Sequence, residues 1–246
     1  MLPHPDQALL ARVWSRRDIP DSLWPTDNDA GVPTLRLDRC ADAVDLPVVM
    51  WGTRARSRRM FGTWGFYVDD YRFNALWADP SPILNSGCVN IIEPNFTIHD
   101  QLPNAVALYH TYRKRYLART WQELGGIRVF VDLNVPPTHA AMNLLGVPAG
   151  WRAYATRGYA DRLHQLEGEV ARAIEHRGSD DILFLVYGGG AKVRDYCLAR
   201  GLIWVPEQQD VAQRRALAAS VGPLGLAAPA STPLALPMPE EAAHAG

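Results

Sequence analysis

Cysteine is scarce in this chain. Cys40, Cys88 and Cys197 are the only three, they lie far apart, and no two are spaced C-x-x-C. An odd, scattered set supports neither a disulfide framework nor a cysteine-rich zinc site. Cys88 and Cys197 stand among apolar neighbours, as small core residues do, and the usage fits a reducing, cytoplasmic setting. The histidines form no H-x-x-x-H or H-E-x-x-H pair, and there is no G-x-S-x-G segment. A histidine zinc site and serine acyl chemistry therefore have no support. No apolar run approaches the ~20 residues that cross a bilayer. Arg12, Arg16 and Arg17 interrupt the early apolar stretch, so it does not read as a secretory signal. Excess charge is missing too: the net value of −1 gives no overall bias toward nucleic acid or membrane, and any such preference must be local.

What is present suits one globular domain. Hydrophobic residues make up 48% of 246 and charged residues 21%, enough apolar material to bury a core and too little charge for general disorder. Residues 1–31 read as an arm with a short helix near 6–15, anchored by Trp14 and Trp24. Residues 32–207 read as a single α/β domain. Residues 208–246 turn to Ala, Pro, Leu and Gly, with room for a short helix at 211–219, and read as a disordered tail.

Within the domain, strands are expected at 47–51, 65–69, 89–93, 127–133, 151–156, 181–187 and 202–205. Helices are expected at 103–124, 138–145, 159–176 and 191–200. Asp100 or Asn104 could cap the first of these helices, and the pair Gly125 and Gly126 supplies its stop. Strands alternating with helices point to parallel (β/α) repeats. Such repeats build a TIM-barrel-like fold, complete or lacking a unit, or an open doubly wound sheet. The barrel is favoured because acids and amides recur at strand ends, where barrel loops carry chemistry.

Three strand ends stand out. FYVDDYRF at 66–73 runs an apolar segment into Asp69 and Asp70, with Arg72 two residues on. The strands near 89–93 and 127–133 end in carboxylate, one residue, amide: Glu93 with Asn95, and Asp132 with Asn134. Period-two alternation puts Asp70 beside Arg72 and leaves Asp69 facing away, free to tie down a neighbouring loop. If the strands are parallel neighbours, Asp70, Glu93 and Asp132 converge on one mouth as catalytic residues. Hard oxygen ligands of this kind suit Mg²⁺ or Mn²⁺, and a carboxylate pair could instead divide into acid and base. The bland reading of the same acids is ion pairing with nearby arginines and helix capping.

Gly188, Gly189 and Gly190 lie between a strand and a helix, where exposed amides favour an anion such as phosphate, or else form a plain tight turn. Basic residues cluster at Arg54, Arg56, Arg58 and Arg59, and again at Arg113, Lys114, Arg115 and Arg119 on the long helix. Aromatics interleaved with the second cluster would suit nucleic acid, but their helical spacing reads mostly as core, and a solvated basic face is the plainer interpretation. Arg113 falls on the apolar side of that helix and therefore needs a carboxylate partner or a place in the site.

Several stretches, taken together, resemble a known family. They are FYVDDYRF (66–73), EPNFTIHDQLP (93–103), YRKRYLARTWQELGGIRVF (112–130), LLGVPAGWRAYATRG (144–158) and LVYGGG (185–190). They occur in the order of domain of unknown function 4417, which is found in bacteria, phages and other mobile elements, and the resemblance covers roughly 47–207. The family usually reads Pro-Asp-Phe-Ser where this chain has Pro94-Asn95-Phe96-Thr97, and usually has Trp after the fourth strand, where Asn134-Val135 stand here. The resemblance implies the domain limits and marks Asp69, Asp70, Arg72, Arg115 and Gly188 as motif positions. It implies no mechanism.

The expectation that follows is a divalent-metal-dependent enzyme acting on a phosphate-bearing substrate, a nucleotide or nucleic acid. Arg72, Arg113, Arg115, Asn134 and the three glycines would hold that substrate. The alternative is a non-enzymatic module of a phage or mobile element that binds DNA or a protein.

Overall fold

A computed structural model describes residues 24–52 and 60–207. The helices expected near 6–15 and 211–219, the arginines at 54–59, Trp14 and the tail lie outside the described residues.

Seven strands form one sheet in chain order, each parallel to the next. They are β1 (Val48–Met50), β2 (Thr63–Gly65), β3 (Asn90–Ile92), β4 (Arg128–Asp132), β5 (Ala153–Arg157), β6 (Leu183–Tyr187) and β7 (Ile203–Val205). An open doubly wound sheet reverses its strand order at a switch point, and this order never reverses. The sheet instead curls into a nearly closed parallel barrel, with no ladder joining β7 to β1 among the described residues. Tyr67, just past β2, and Tyr187, at the end of β6, show the curl directly. Four strand spacings of about 4.8 Å would hold them some 19 Å apart in a flat sheet, yet their rings stack with centroids 5.9 Å apart.

The curl creates two cores. Inside the barrel, Met50, Ile92, Phe130, Ala155, Leu185 and Tyr187 form one cluster with Tyr67. The alternate residues Val49, Ile91, Val129, Tyr154 and Phe184 face outward and pack on Leu117, Trp121, Leu166 and Val193 of the surrounding helices. Strands buried on both sides are apolar almost throughout, as sheets with both faces covered require.

The helices are α1 (Ala75–Ala78), α2 (Ser81–Leu84), α3 (Asn104–Gly125), α4 (Ala140–Asn143), α5 (Leu163–Arg177) and α6 (Gly190–Ala199). The longest, α3, has Pro103 at its N-cap with no side-chain cap bond, so neither Asp100 nor Asn104 serves there. Gly126 closes it in the left-handed conformation, φ 62°. Helix α3 also gathers the N-terminal segment. The Trp24 indole donates to Thr120 Oγ1 at 3.0 Å, and Gln122 both accepts from Arg36 N and donates to its carbonyl. The indole of Trp121 donates to Pro80 O and its ring stacks on Phe66 at 5.9 Å.

Two differences from the expected elements matter for the site. The second strand is Thr63–Gly65, so FYVDDYRF begins where that strand has ended. Val68 N bonds Phe66 O, which turns the chain, and Asp70–Arg72 is a short 3-10 turn. The short helices α1 and α2 between β2 and β3 span four residues each, too few to leave a helical period in the sequence.

At the C-terminal end of β6, Gly189 combines φ 80° with close approach: a Cβ there would meet Gly158 C at 2.8 Å and Val193 Cγ2 at 2.5 Å. Gly190 has φ 73° and open space around it. Gly189→Ala is expected to cost more than 2 kcal/mol, from backbone strain plus collision, and Gly190→Ala about 1–2 kcal/mol, from strain alone. Urea unfolding of the two variants measures the difference.

Candidate functional site at the barrel mouth

A cavity of about 340 Å³ opens over the carboxyl ends of β2 to β5. After β2 it is lined by Tyr67, Val68 and Asp69, and after β3 by Asn95, Thr97, Ile98, His99 and Asp100. The loop after β4 adds Asn134, Val135 and Pro136. The last residue of β5, Arg157, and the segment into α5 add Tyr159, Arg162 and Gln165. This is the end of a parallel barrel at which functional groups gather, because its loops leave the strands there. Both guanidiniums lie over the ring of Tyr159, Arg157 at 5.6 Å and Arg162 at 5.2 Å, so one aromatic orients two cations. Arg157 also reaches Glu207 Oε1 at 3.4 Å, while its buried Nε has no partner among the described residues.

The three carboxylates expected to converge do not share this mouth. Glu93 and Asp132 are fully buried beneath it. Arg115 Nη1 donates to Glu93 Oε1, and the Asp132 amide donates to Glu93 Oε2 at 3.2 Å. Lys114 Nζ donates to Asp132 Oδ2 at 3.2 Å, and Oδ1 accepts from the Tyr67 hydroxyl at 3.2 Å and from Asn134 N at 3.1 Å. Asp70 binds Thr97, accepting from its amide on Oδ2 at 3.1 Å and from its hydroxyl on Oδ1 at 3.0 Å. All six carboxylate oxygens thus accept from a protein donor. Among the described residues no group of three or more His, Cys, Asp or Glu is placed to hold a metal ion. The expected Mg²⁺ or Mn²⁺ does not fit Asp70, Glu93 and Asp132.

Register explains the failure. Ile92 pairs with Phe130, and both face the barrel interior. Asp132 is therefore in phase with the interior, whereas Glu93 follows the outward phase of Ile91 and meets α3. Past Ile92 the alternation ends, since Phe96 N bonds Pro94 O, and Asn95 turns back to the cavity. The same break after β2 exchanges the two aspartates. Asp69 lines the cavity, and Asp70 ties down the loop after β3, the reverse of what alternation suggests.

Of the expected substrate ligands, Asn134 alone lines the cavity. Arg72 is exposed and donates to Gly52 O at 3.1 Å. Among the described residues Arg113 has no carboxylate partner; its guanidinium lies 3.9 Å from the centroid of Phe96, with Trp77 and Tyr109 alongside, and donates to Asn74 Oδ1. Arg115 is fully buried and also donates to Asn143 O and Leu145 O. Gly188 N is spent on Val205 O, and its own carbonyl accepts from the Trp204 indole, so the glycine loop is tied to β7 rather than lining the cavity. The basic run on α3 is not a solvated face: Lys114 and Arg115 are buried, and Arg119 donates to Thr34 O and Glu123. Arg157 and Gln165 were missed. Arg157 ends a strand and could have been found by seeking bases as well as acids there; Gln165 is marked in the sequence only by its i, i+4 spacing to Glu169 on one helix.

One buried acid sits behind the cavity wall. Glu169 on α5 is 2% exposed and accepts from Gln165 Nε2 at 3.2 Å. Burial pushes its carboxyl up to about 8, opposed by Thr156 and Gln165 and assisted by Asp132. Burial also raises the Tyr67 phenol well above its ordinary value, and Asp132 adds to the effect, so this hydroxyl stays protonated.

The fold and site together define a parallel (β/α) barrel-like protein with a polar cavity at the carboxyl ends of its strands. The model of the family called domain of unknown function (DUF4417) matches residues 24–160, more than half of the chain, and the chain belongs to that family. Two curated relatives are each 32% identical over 66 residues: the Gene 1 proteins of Mycobacterium phage D29 and Mycobacterium phage L5. The match covers 26% of this chain, and 24% and 29% of those two proteins respectively, so the chain spans well under two thirds of either. No solved structure matches.

Two measurements check this site. Asp132→Asn leaves the buried Lys114 without its counter-charge and is expected to cost about 3–5 kcal/mol, whereas Asp69→Asn, at an exposed carboxylate, stays within about 0.5 kcal/mol; chemical denaturation separates them. Glu169 binds its proton in the folded chain up to pH about 8 but releases it near 4.5 when unfolded. Its contribution to stability is therefore complete below pH 4.5 and is lost as pH rises to 8. Thermal melts from pH 5 to 8.5 should show this decline in the wild type and a flatter profile in Glu169→Gln.

Proposed function

We propose that the protein is an enzyme acting on a phosphate-bearing substrate, a nucleotide or a nucleotide unit of nucleic acid, bound in the cavity at the barrel mouth. The observation that carries this reading is the pairing of Arg157 and Arg162 over Tyr159 in a cavity that also holds Asp69. Two guanidiniums oriented by one ring suit the planar, multidentate hold on a phosphate that arginine provides. Asp69 and His99 stand in the same cavity as groups able to move a proton. Asn95 and Asn134 supply amides that would position the remainder of the ligand, and Tyr159 offers an aromatic face. The roles differ from those first expected. Asp70, Glu93 and Asp132 hold the framework, and Asp69 takes the place of the reactive carboxylate. No step is assigned to a metal ion.

A DNA-binding module built on the basic helix gains nothing from this geometry, because Lys114, Arg115 and Arg119 are engaged within the protein and Arg113 is enclosed by aromatic rings. Calorimetric titration with AMP, GMP, CMP, UMP, IMP and purine riboside 5′-monophosphate tests the proposal. Binding of at least one is expected, weakened ten- to a hundredfold in Arg157→Ala, the worth of a charge-assisted hydrogen bond to phosphate. Absence of binding by all six, or equal affinity in wild type and Arg157→Ala, overturns it.

A further inference from the structure

Gln165 is the cavity residue whose orientation the protein fixes from behind. It stands in the first turn of α5, half-buried, and its Nε2 donates to Glu169 Oε1, one helical turn further along, at 3.2 Å. With the nitrogen tied inward, the carbonyl oxygen of the same planar amide accepts no hydrogen bond among the described residues. Glu169 could undo this arrangement by turning its own acidic proton toward Gln165. A second group opposes that: Thr156, on the outward face of β5, lies beside Glu169 with a buried hydroxyl that makes no hydrogen bond among the described residues and so stands open to a donor. A neutral acid that turned its O–H toward Thr156 would satisfy both neighbours at once, keeping its carbonyl oxygen for the Gln165 amide. An orphan hydroxyl, a buried acid and a cavity amide would then form one chain of donors and acceptors with a single consistent direction.

We propose that Gln165, locked by Glu169, presents a hydrogen-bond acceptor to the cavity and thereby selects a ligand carrying an N–H donor, in chemical terms a nucleobase with an exocyclic amine. The inference rests on the reading of the cavity as a nucleotide site and adds the feature by which it discriminates. The bases that bear such an amine are adenine, guanine and cytosine; uracil, hypoxanthine and unsubstituted purine lack it. Uracil and hypoxanthine keep a ring N–H but have no donor at the exocyclic position, so an acceptor aimed at that position is left unpaired against them, and this is how one hydrogen bond becomes selectivity. Gln165 is a specificity-determining residue in this scheme, and Glu169 is a positioning residue that acts through it.

Calorimetry on the full chain tests the inference with three matched pairs: GMP against IMP, AMP against purine riboside 5′-monophosphate, and CMP against UMP. The wild type is expected to bind the amine-bearing member of at least one pair about tenfold more tightly. Gln165→Met should bring that ratio close to one by weakening only the amine-bearing member. Glu169→Leu should do the same by releasing the amide to rotate. Glu169→Gln should retain the preference, because its amide can accept from Gln165 and donate to Thr156 as the neutral acid does. Should Glu169→Leu fail to fold, Thr156→Val, which removes the partner that directs the acid's proton, reduces the ratio in its place. Nucleotide binding with no preference in any pair, or a preference unchanged in Gln165→Met, overturns the inference while leaving the proposed function standing. Binding of none of the six overturns both.

Discussion

Two consecutive cations on one helix hold the mouth of this barrel together. Lys114 and Arg115 are adjacent on α3, and at 3.6 residues per turn their side chains leave the helix in different directions. One ends on Asp132 of β4 and the other on Glu93, just past β3. Glu93 accepts the Asp132 amide, and Asn143 donates to the Asp132 carbonyl while its own carbonyl accepts from Arg115. Every charge in this lattice is removed from water, which is costly, and the cost is offset only because each charge meets an opposite charge and further hydrogen bonds. Such a lattice tolerates one geometry. Its consequence is a fixed spacing between the ends of β3 and β4, from which two loops of the cavity wall depart.

The cavity is built on that floor. Asp70 pins the loop after β3 through both the amide and the hydroxyl of Thr97, and the Thr97 carbonyl is in turn 3.1 Å from His110 Nδ1 on α3. Asn95, His99 and Asp100 are therefore carried on a loop held at both sides. Across the opening, the Tyr67 hydroxyl binds Asp132 while its ring stacks on Tyr187, joining β2, β4 and β6 inside the barrel. A polar site lined by loops gains its rigidity from such connections, and rigidity is what lets a few polar groups discriminate among ligands.

The same division runs through the stretches that mark the family. Asp70 and Arg115 are tied into the framework, Gly188 joins the end of β6 to β7, and Arg72 meets the carbonyl of Gly52. Asp69 faces the cavity. A motif dense in charge is thus mostly scaffold in this protein, and Asp69 is its member that lines the cavity. Arg157 and Asn134 join it from the ends of β5 and β4.

The alternation of apolar strands and long helices was enough to read the parallel repeats: helices stand at or near 103–124, 138–145, 159–176 and 191–200, and all seven strands are present, the second shifted to Thr63–Gly65. Period and glycine stops are local properties, so they survive in the sequence. The choice between barrel and open sheet rested on recurring polar strand ends, and the unbroken strand order settles it. The facing of the acids was not legible. Alternation gives the relative phase within one strand, whereas the phase between strands depends on register, which the pairing of Ile92 with Phe130 fixes only in the folded sheet. Beyond the strand ends, turns at Val68 and Phe96 break the alternation altogether. Those two turns send Asp69 to the cavity and Asp70 to Thr97. Gln165 and Glu169 stand four residues apart on α5, so helical spacing alone makes them neighbours. That Glu169 is buried, and that it lies beside Thr156 of β5, is encoded by no spacing in the chain, because only packing of a helix on a strand decides which acid is taken out of water.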